Sequence, residues 1–377
     1  MQENWAKEFP LQDGLIHLNH AGVGPWPRCT ALAVEKFAKQ NSTLGSKQFR
    51  QWEKIEAEVK QLCCQLINAD SADDIAFIKN TSEALSIVAY GIKWQKNDNV
   101  IFAQQEFPSN RIIWQSLTPR FGVQARCVDL YQANTPEDAL FAQVDNNTRL
   151  IAVSAVQYTT GLRMDLAKIS EFCQAKGILL CVDAIQQLGA IPFDLNETPA
   201  DFVMADAHKW LLSPEGIGLF YCNPRIREEL QLHQFGWHMM ANLGDYESQE
   251  WSIAHTARRF ECGSMNNLGI QALHASLTLL HKIGIHSVYE NISRNIDYLY
   301  DKYQKYNIHV LSDMDEKRRS GIITLQRAGI DNHLLYKHLF HAGVLCAYRS
   351  GGIRFSPHFY THRDVMEQAV KLVMSFK

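Results

Sequence analysis

The stretch DLAKISEFCQAKGILLCVD, residues 165–183, decides the fold. It reads as a helix stopped by Gly177, then an apolar run ending on the carboxylate of Asp183. Glycine is favoured just past a helix C-terminus because it adopts a left-handed conformation at no steric cost. The run ILLCVD has no polar alternation, so a strand there is covered on both faces. A helix feeding a strand buried on both sides predicts a mostly parallel sheet with helical layers.

The same texture extends outward. Strand-like runs occur at DIAFIK (74–79), NVIFAQ (99–104), VQARCV (123–128), RLIAVSAV (149–156), DFVMA (201–205) and IGLFYC (217–222), and SEALSIVAYGIKW (82–94) is helical. With ILLCVD the count of strands is seven. After about residue 265 the texture changes. The helical patterns NLGIQALHASLTLLHKI and HSVYENISRNIDYLYDKY come first. The short strands HVLS, GIITLQ, VLCAY and GIRFS then mix with the helices NHLLYKHLFHAG and HRDVMEQAVKLVMSF. That pattern suits a smaller α+β domain.

Composition narrows the function. Over 377 residues the formal net charge is −3, so no global positive field invites nucleic acid or an anionic membrane. No apolar run is long enough to span a bilayer, and the start MQENWAKEFPLQDG lacks the pattern of a secretory signal. The nine cysteines are odd in number, form no C-x-x-C, and several lie inside apolar runs. They read as reduced core residues of a cytoplasmic protein with a small-molecule partner.

Ligands of open α/β sheets bind at the carboxyl ends of the strands. Asn80-Thr81-Ser82, Gln105-Glu106-Phe107-Pro108, Gln157-Tyr158-Thr159, Asp183 and Lys209 all follow strands. Lys209, within MADAHKWLLSPEGIG (204–218), is either a surface lysine of a loop or an amine held dry enough to form a Schiff base. Asp183 is either a helix cap or the partner of a protonated ring nitrogen. Thr81 and Ser82 open a helix, as plain caps or as an anion cup. The glycine fingerprints of nucleotide sites are absent. His338 with His341 and His358 with His362 have helical spacing, but nothing completes a ligand set, so no metal is expected.

Six motifs in order, KNTSEAL, EFPSN, VDAIQQLG, ADAHKWLLSPEGIG, RRFECGSMNN and GGIRFSPHFY, resemble those of the class V aminotransferases, in the cysteine desulfurase-like branch of the fold-type-I pyridoxal phosphate (PLP) enzymes. The resemblance runs from NHAGVGP (19–25) to the C-terminal helix. It implies a large PLP-binding domain over 21–260 with a mostly parallel seven-stranded sheet. It further implies a small α+β domain over 261–377 and an N-terminal segment, 1–20, that closes over the active site. By position it implies that Lys209 forms the Schiff base and moves the substrate α-proton. Asp183 pairs with the pyridine nitrogen and Gln186 bonds the ring hydroxyl. Thr81, Ser82 and His208 hold the phosphate, and Ser264 reaches it from the other subunit of a homodimer. Phe107 stacks on the ring, where relatives often have histidine. Tyr158 stands where relatives have an asparagine near the ring hydroxyl. Arg354 holds the substrate carboxylate, since a guanidinium fork fits a carboxylate at two points. Asn19, His20 and Gly22 lie on the substrate side.

The chain departs from the desulfurase pattern in VLCAYRSGGIRFS, where the loop is short and Cys346 falls in strand-like sequence. No cysteine matches the sulfur acceptor of those relatives. Asp206 replaces a hydroxyl residue near the phosphate and is expected to face away or to bond backbone N–H groups. Arg349 reads as a solvated loop arginine, with a second substrate anchor as the sharper reading. The resemblance implies an enzyme acting on a small α-amino acid, leaning to carbon–sulfur lyase chemistry of the cysteine or selenocysteine lyase type. Transaminase, epimerase or kynureninase-like activity and a non-catalytic PLP-fold binding protein stay open.

Overall fold

The computed structural model describes residues 5–377; residues 1–4 of the expected N-terminal segment lie outside the described residues. Thirteen strands are found among the described residues. They are β1 (Ile16–His17), β2 (Ile75–Ile78), β3 (Asn99–Ala103), β4 (Gln124–Val128), β5 (Thr148–Ser154), β6 (Leu179–Asp183) and β7 (Phe202–Asp206), then β8 (Gly218–Cys222), β9 (His309–Val310), β10 (Ile323–Gln326), β11 (Val344–Leu345), β12 (Ala347–Arg349) and β13 (Gly352–Phe355). Seven of them form one sheet in the order β2-β8-β7-β6-β5-β3-β4. All its pairings are parallel except those of β8, which runs against both neighbours. The sheet matches the seven runs read from sequence.

β5 shows why those runs lack polar alternation. Leu150 and Ala152 join one apolar layer, and Ile151 and Val153 join the layer on the opposite face; all four are fully buried. Successive strand side chains point to opposite faces, so a sheet covered twice needs apolar residues at every position. The helix Leu166–Lys176 ends at Gly177, whose φ of 65° is the left-handed cap anticipated above.

Beyond the large sheet, β12-β13-β10-β9 form an antiparallel sheet. β1 pairs in parallel with β11, and the bridge Asn19–Ser356 continues that contact. This pairing ties the N-terminal segment to the C-terminal strands. Two helices not singled out in the sequence, Arg28–Leu44 and Phe49–Ile67, pack against the helix Asn267–Ile283. In Phe49–Ile67 the buried Trp52, Val59, Cys63 and Leu66 share one stripe at helical spacing. No helix among the described residues is long and apolar enough to cross a membrane.

Candidate active site

Because β2, β3, β5, β6 and β7 all point the same way, their carboxyl ends share one edge of the sheet. The loop after β7 carries Lys209 and is clamped from several sides. Gly24 N–H donates to His208 O at 2.8 Å, and a Cβ on Gly24 would stand 2.4 Å from Lys209 O. Gly189, at φ 93°, leaves no room for a Cβ either, since it would meet Trp210 O at 2.4 Å. Leu212 is fully buried with φ 57°, a conformation a leucine holds only when its surroundings impose it.

Behind this loop lie three histidines. His358 Nδ1 accepts from Phe359 N–H at 2.9 Å, so its Nε2 carries the proton and donates to Trp210 O at 3.2 Å. His20 Nδ1 donates to Ser356 O at 2.9 Å, and its Nε2 accepts from Tyr360 OH at 2.8 Å. The ring of His17 packs 4.6 Å from that of His20, and His358 4.9 Å from it. Burial lowers all three pKa values, His17 to about 4 and His358 to about 3, so this layer is neutral. His20 is fully buried here with its ring in this layer, whereas Asn19 and Gly22 are partly exposed.

In front of the loop the charges behave differently. Lys209 is half-buried, and desolvation lowers its pKa to about 8 against the opposing pull of Asp183. Burial pushes Asp183 up to about 6, while Ile185 N–H donates to its Oδ1 at 3.1 Å and offsets part of that. Among the described residues its other oxygen takes no hydrogen-bond donor. Phe107 is 45 % exposed and so does not serve the core; its ring meets that of Tyr158 edge to face at 5.2 Å. Lys209 Nζ lies 5.8 Å from the centre of the Phe107 ring.

At the β2 end, Asn80 caps the helix Thr81–Gly91 by accepting from Glu83 N–H at 2.9 Å. The N–H groups of Thr81 and Ser82 make no hydrogen bond among the described residues. Ser82 Oγ reaches Ser109 Oγ at 2.8 Å, and Thr81 Oγ1 accepts from Asp206 N–H at 3.2 Å. Asp206 bonds its backbone as expected, accepting from Ala207 N–H at 3.0 Å. His208 Nδ1 is 3.1 Å from Asp206 Oδ1 but lacks hydrogen-bond alignment, leaving a buried polar atom unpaired.

Arg354 is almost wholly buried on β13. Its Nη1 donates to Tyr158 O at 2.5 Å and its Nη2 to Asn19 Oδ1 at 3.2 Å, while its Nε has no partner. Gln186 donates to Ala21 O at 3.0 Å and accepts from Trp210 Nε1 at 2.8 Å; an amide has two N–H donors, so one remains. Ser264 is exposed on a loop and joins none of these groups within the chain. Arg349 is exposed and donates to Tyr348 O at 2.8 Å.

One residue of EFPSN, placed at the strand ends by the sequence, is given no role there. Glu106 is buried and accepts four hydrogen bonds. Elsewhere, cavities of about 1460 Å³ beside Trp5, His17 and Arg294 and about 430 Å³ beside Glu56, Lys60 and His238 contain none of the candidate residues. Glu56, His238 and Glu261 bring ligand atoms within 4.8 Å of one another, but Lys60 Nζ, 2.8 Å from Glu261, already supplies the cation there.

The donor set suits PLP: an amine of lowered pKa, a buried strand-end carboxylate, an open helix N-terminus flanked by hydroxyls, and an aromatic face. Arg354 Nε and Gln157 Oε1 are among the buried polar atoms without a partner, and at this edge of the sheet they are free to meet a polar ligand. A cysteine desulfurase of Methanothermobacter thermautotrophicus, described as probable, is 28 % identical over 355 residues, covering 93 % of this chain and 87 % of that one. A mutant of the protein C-DES with glycine covalently linked to its PLP cofactor superposes with TM-score 0.91 at 20 % identity, covering 99 % of both chains. The complex of the cystine C–S lyase C-DES with its product cysteine persulfide gives TM-score 0.90 at 21 % identity, covering 98 % of this chain and 99 % of that one. The family model "Aminotransferase class-V" matches residues 16–367, and the chain belongs to this family of PLP-dependent enzymes.

Proposed function

We propose that the protein is a carbon–sulfur lyase that acts on a small sulfur-containing α-amino acid without a protein thiol as sulfur acceptor. The observation that carries the second half is Cys346. It is 5 % exposed, and burial pushes its thiol up to about 12, so it offers no thiolate at neutral pH. The names of the relatives, cysteine desulfurase and cystine C–S lyase, support the first half.

The residues take these roles. The helix start at Thr81 and Ser82, with His208, would hold the phosphate, and the macrodipole favours an anion there. Asp183 would face the ring nitrogen, the spare N–H of Gln186 the ring hydroxyl, and Phe107 the ring plane. PLP, when bound, supplies an electron sink for charge left at the substrate α-carbon. Arg354 is positioned to receive the substrate carboxylate. Tyr158 O and Asn19 fix the orientation of its fork, and its unpaired Nε–H gains the partner it lacks. Lys209 moves the α-proton, and its lowered pKa keeps a neutral amine accessible near physiological pH. With the α-carbon held in this way, the Cβ–S bond breaks and sulfur leaves with the electron pair. Exposure of Ser264 and Phe107 supports a homodimer in which a second copy completes the cleft.

The test is to incubate the PLP-loaded protein with cysteine, cystine, alanine, serine, aspartate and kynurenine. Sulfide from cysteine or cysteine persulfide from cystine, each with pyruvate and ammonia, and full turnover in a Cys346→Ser variant, are expected; alanine as the carbon product would signal a thiol acceptor. Conversion of the cofactor to its amine form by one amino acid would make the protein a transaminase. Loss of sulfur release in Cys346→Ser would restore a thiol acceptor.

A further inference from the structure

Glu106 lies in the loop after β3, one residue before Phe107, and is 4 % exposed. Its Oε1 accepts from Ser154 N–H at 2.8 Å and from Gln157 Nε2 at 3.2 Å. Its Oε2 accepts from Asn110 Nδ2 at 3.1 Å and from the Ser154 hydroxyl. Asn110 in turn accepts from the buried Trp114 Nε1 at 2.8 Å. One carboxylate therefore ties the loop that bears Phe107 to the end of β5 and to the residue before Tyr158. These are the two rings that meet edge to face beside Lys209.

An ionised carboxylate can accept all four donors, and a neutral acid or amide cannot. Burial pushes the Glu106 carboxyl up to about 7, and its bonds to Ser154 and Gln157 oppose that shift. So costly a group persists only where its geometry is used, and no part of the reaction uses it directly. In β5 and β6, Ser154 is the register partner of Asp183, so the same clamp borders the carboxylate that faces the cofactor ring.

We infer that Glu106 is a positioning residue that holds the Phe107–Tyr158 corner in the orientation the cofactor ring requires. The inference rests on the PLP site described above. An amide at this position must turn an N–H toward existing donors. Either Ser154 N–H loses its acceptor, or Asn110 flips and abandons Trp114.

The test is a double-mutant cycle read as the Kd of PLP for the apoprotein, with the visible absorption of the bound cofactor as a second signal. Glu106→Gln is expected to raise the Kd by about tenfold, the scale of one lost buried hydrogen bond. In a Phe107→Ala background the same change should cost at most about twofold, because the residue it positions is gone. Ser170→Ala, which removes the buried bond to Pro199 O far from the site, controls for general destabilisation and should leave the Kd within about twofold. If Glu106→Gln does not fold, Asn110→Ala removes one of the same donors and should shift the Kd in the same direction. An unchanged Kd, an additive cycle, or an equal loss in Ser170→Ala at matched Tm overturns the inference. A wild-type protein that binds no PLP overturns the cofactor site itself, which a defect confined to the variants does not.

Discussion

The two sides of the Lys209 loop are both built from buried ionisable groups, yet they do opposite things. Behind it, His17, His20 and His358 are locked neutral, each ring nitrogen of His20 and His358 spent on a named partner. In front, Lys209 at about 8 and Asp183 at about 6 sit within reach of neutral pH. Desolvation acts on every one of them. What differs is partnering: His20 and His358 have complementary neutral acceptors and donors, although His17 Nδ1 is left without one, whereas the front groups have mainly each other's charge. Polar groups whose bonds are spent inside the fold, as in His20 and His358, are scaffold, and titratable groups left short of partners at the sheet edge are poised for a ligand.

Removing the front amine should give the largest effect. Lys209→Ala is expected to lower turnover by on the order of 10⁴-fold or more while leaving the fold intact. Borohydride treatment of the loaded protein followed by peptide mapping should label Lys209 in the wild type and nothing at that position in the variant. Substantial turnover without the lysine would break the assignment of the front face.

Disturbing the rear layer should instead cost stability. His358→Ala removes the donor to Trp210 O and opens a cavity, at a cost of about 2–4 kcal/mol read from denaturant unfolding of the apoprotein. The pH dependence of cofactor capture should stay as in the wild type. A shifted profile would mean that the rear histidines titrate with the site after all.

The subtlest contrast is in pH. The neutral amine of Lys209 grows as pH rises through about 8, so PLP capture by the apoprotein should accelerate across that range. The rear rings have folded pKa values below the ordinary 6.5. Unfolding therefore takes up protons below about pH 6.5, and Tm should fall as pH drops from there toward about 3 to 4. Thermal melts and stopped-flow capture across pH separate the two faces. A flat capture rate between pH 7 and 9 would remove Lys209 as the titrating group.

Much of this was legible in the chain. The seven strands of the large sheet were readable because a strand covered on both faces is apolar at every position, a signal that ILLCVD and RLIAVSAV show without help. The placement of Lys209, Asp183 and Thr81 at one edge of the sheet was readable because the carboxyl end of such a strand is where a loop can offer polar groups to a ligand. The helices Arg28–Leu44 and Phe49–Ile67 carried a fainter signal, since their apolar stripes are narrow and their partner, Asn267–Ile283, lies more than two hundred residues away.

Local sequence by itself thus determined the elements, the edge of the sheet and the residue types gathered there, because periodicity and caps are properties of neighbours along the chain. Only the tertiary structure decided that His20 belongs to a neutral buried layer, and that Asn19 meets Arg354 across 335 residues. It likewise decided that Glu106 ties the loop after β3 to Ser154 and Gln157. Those outcomes depend on which hydrogen-bond partners burial leaves available, and burial is fixed by packing between segments that no local pattern connects.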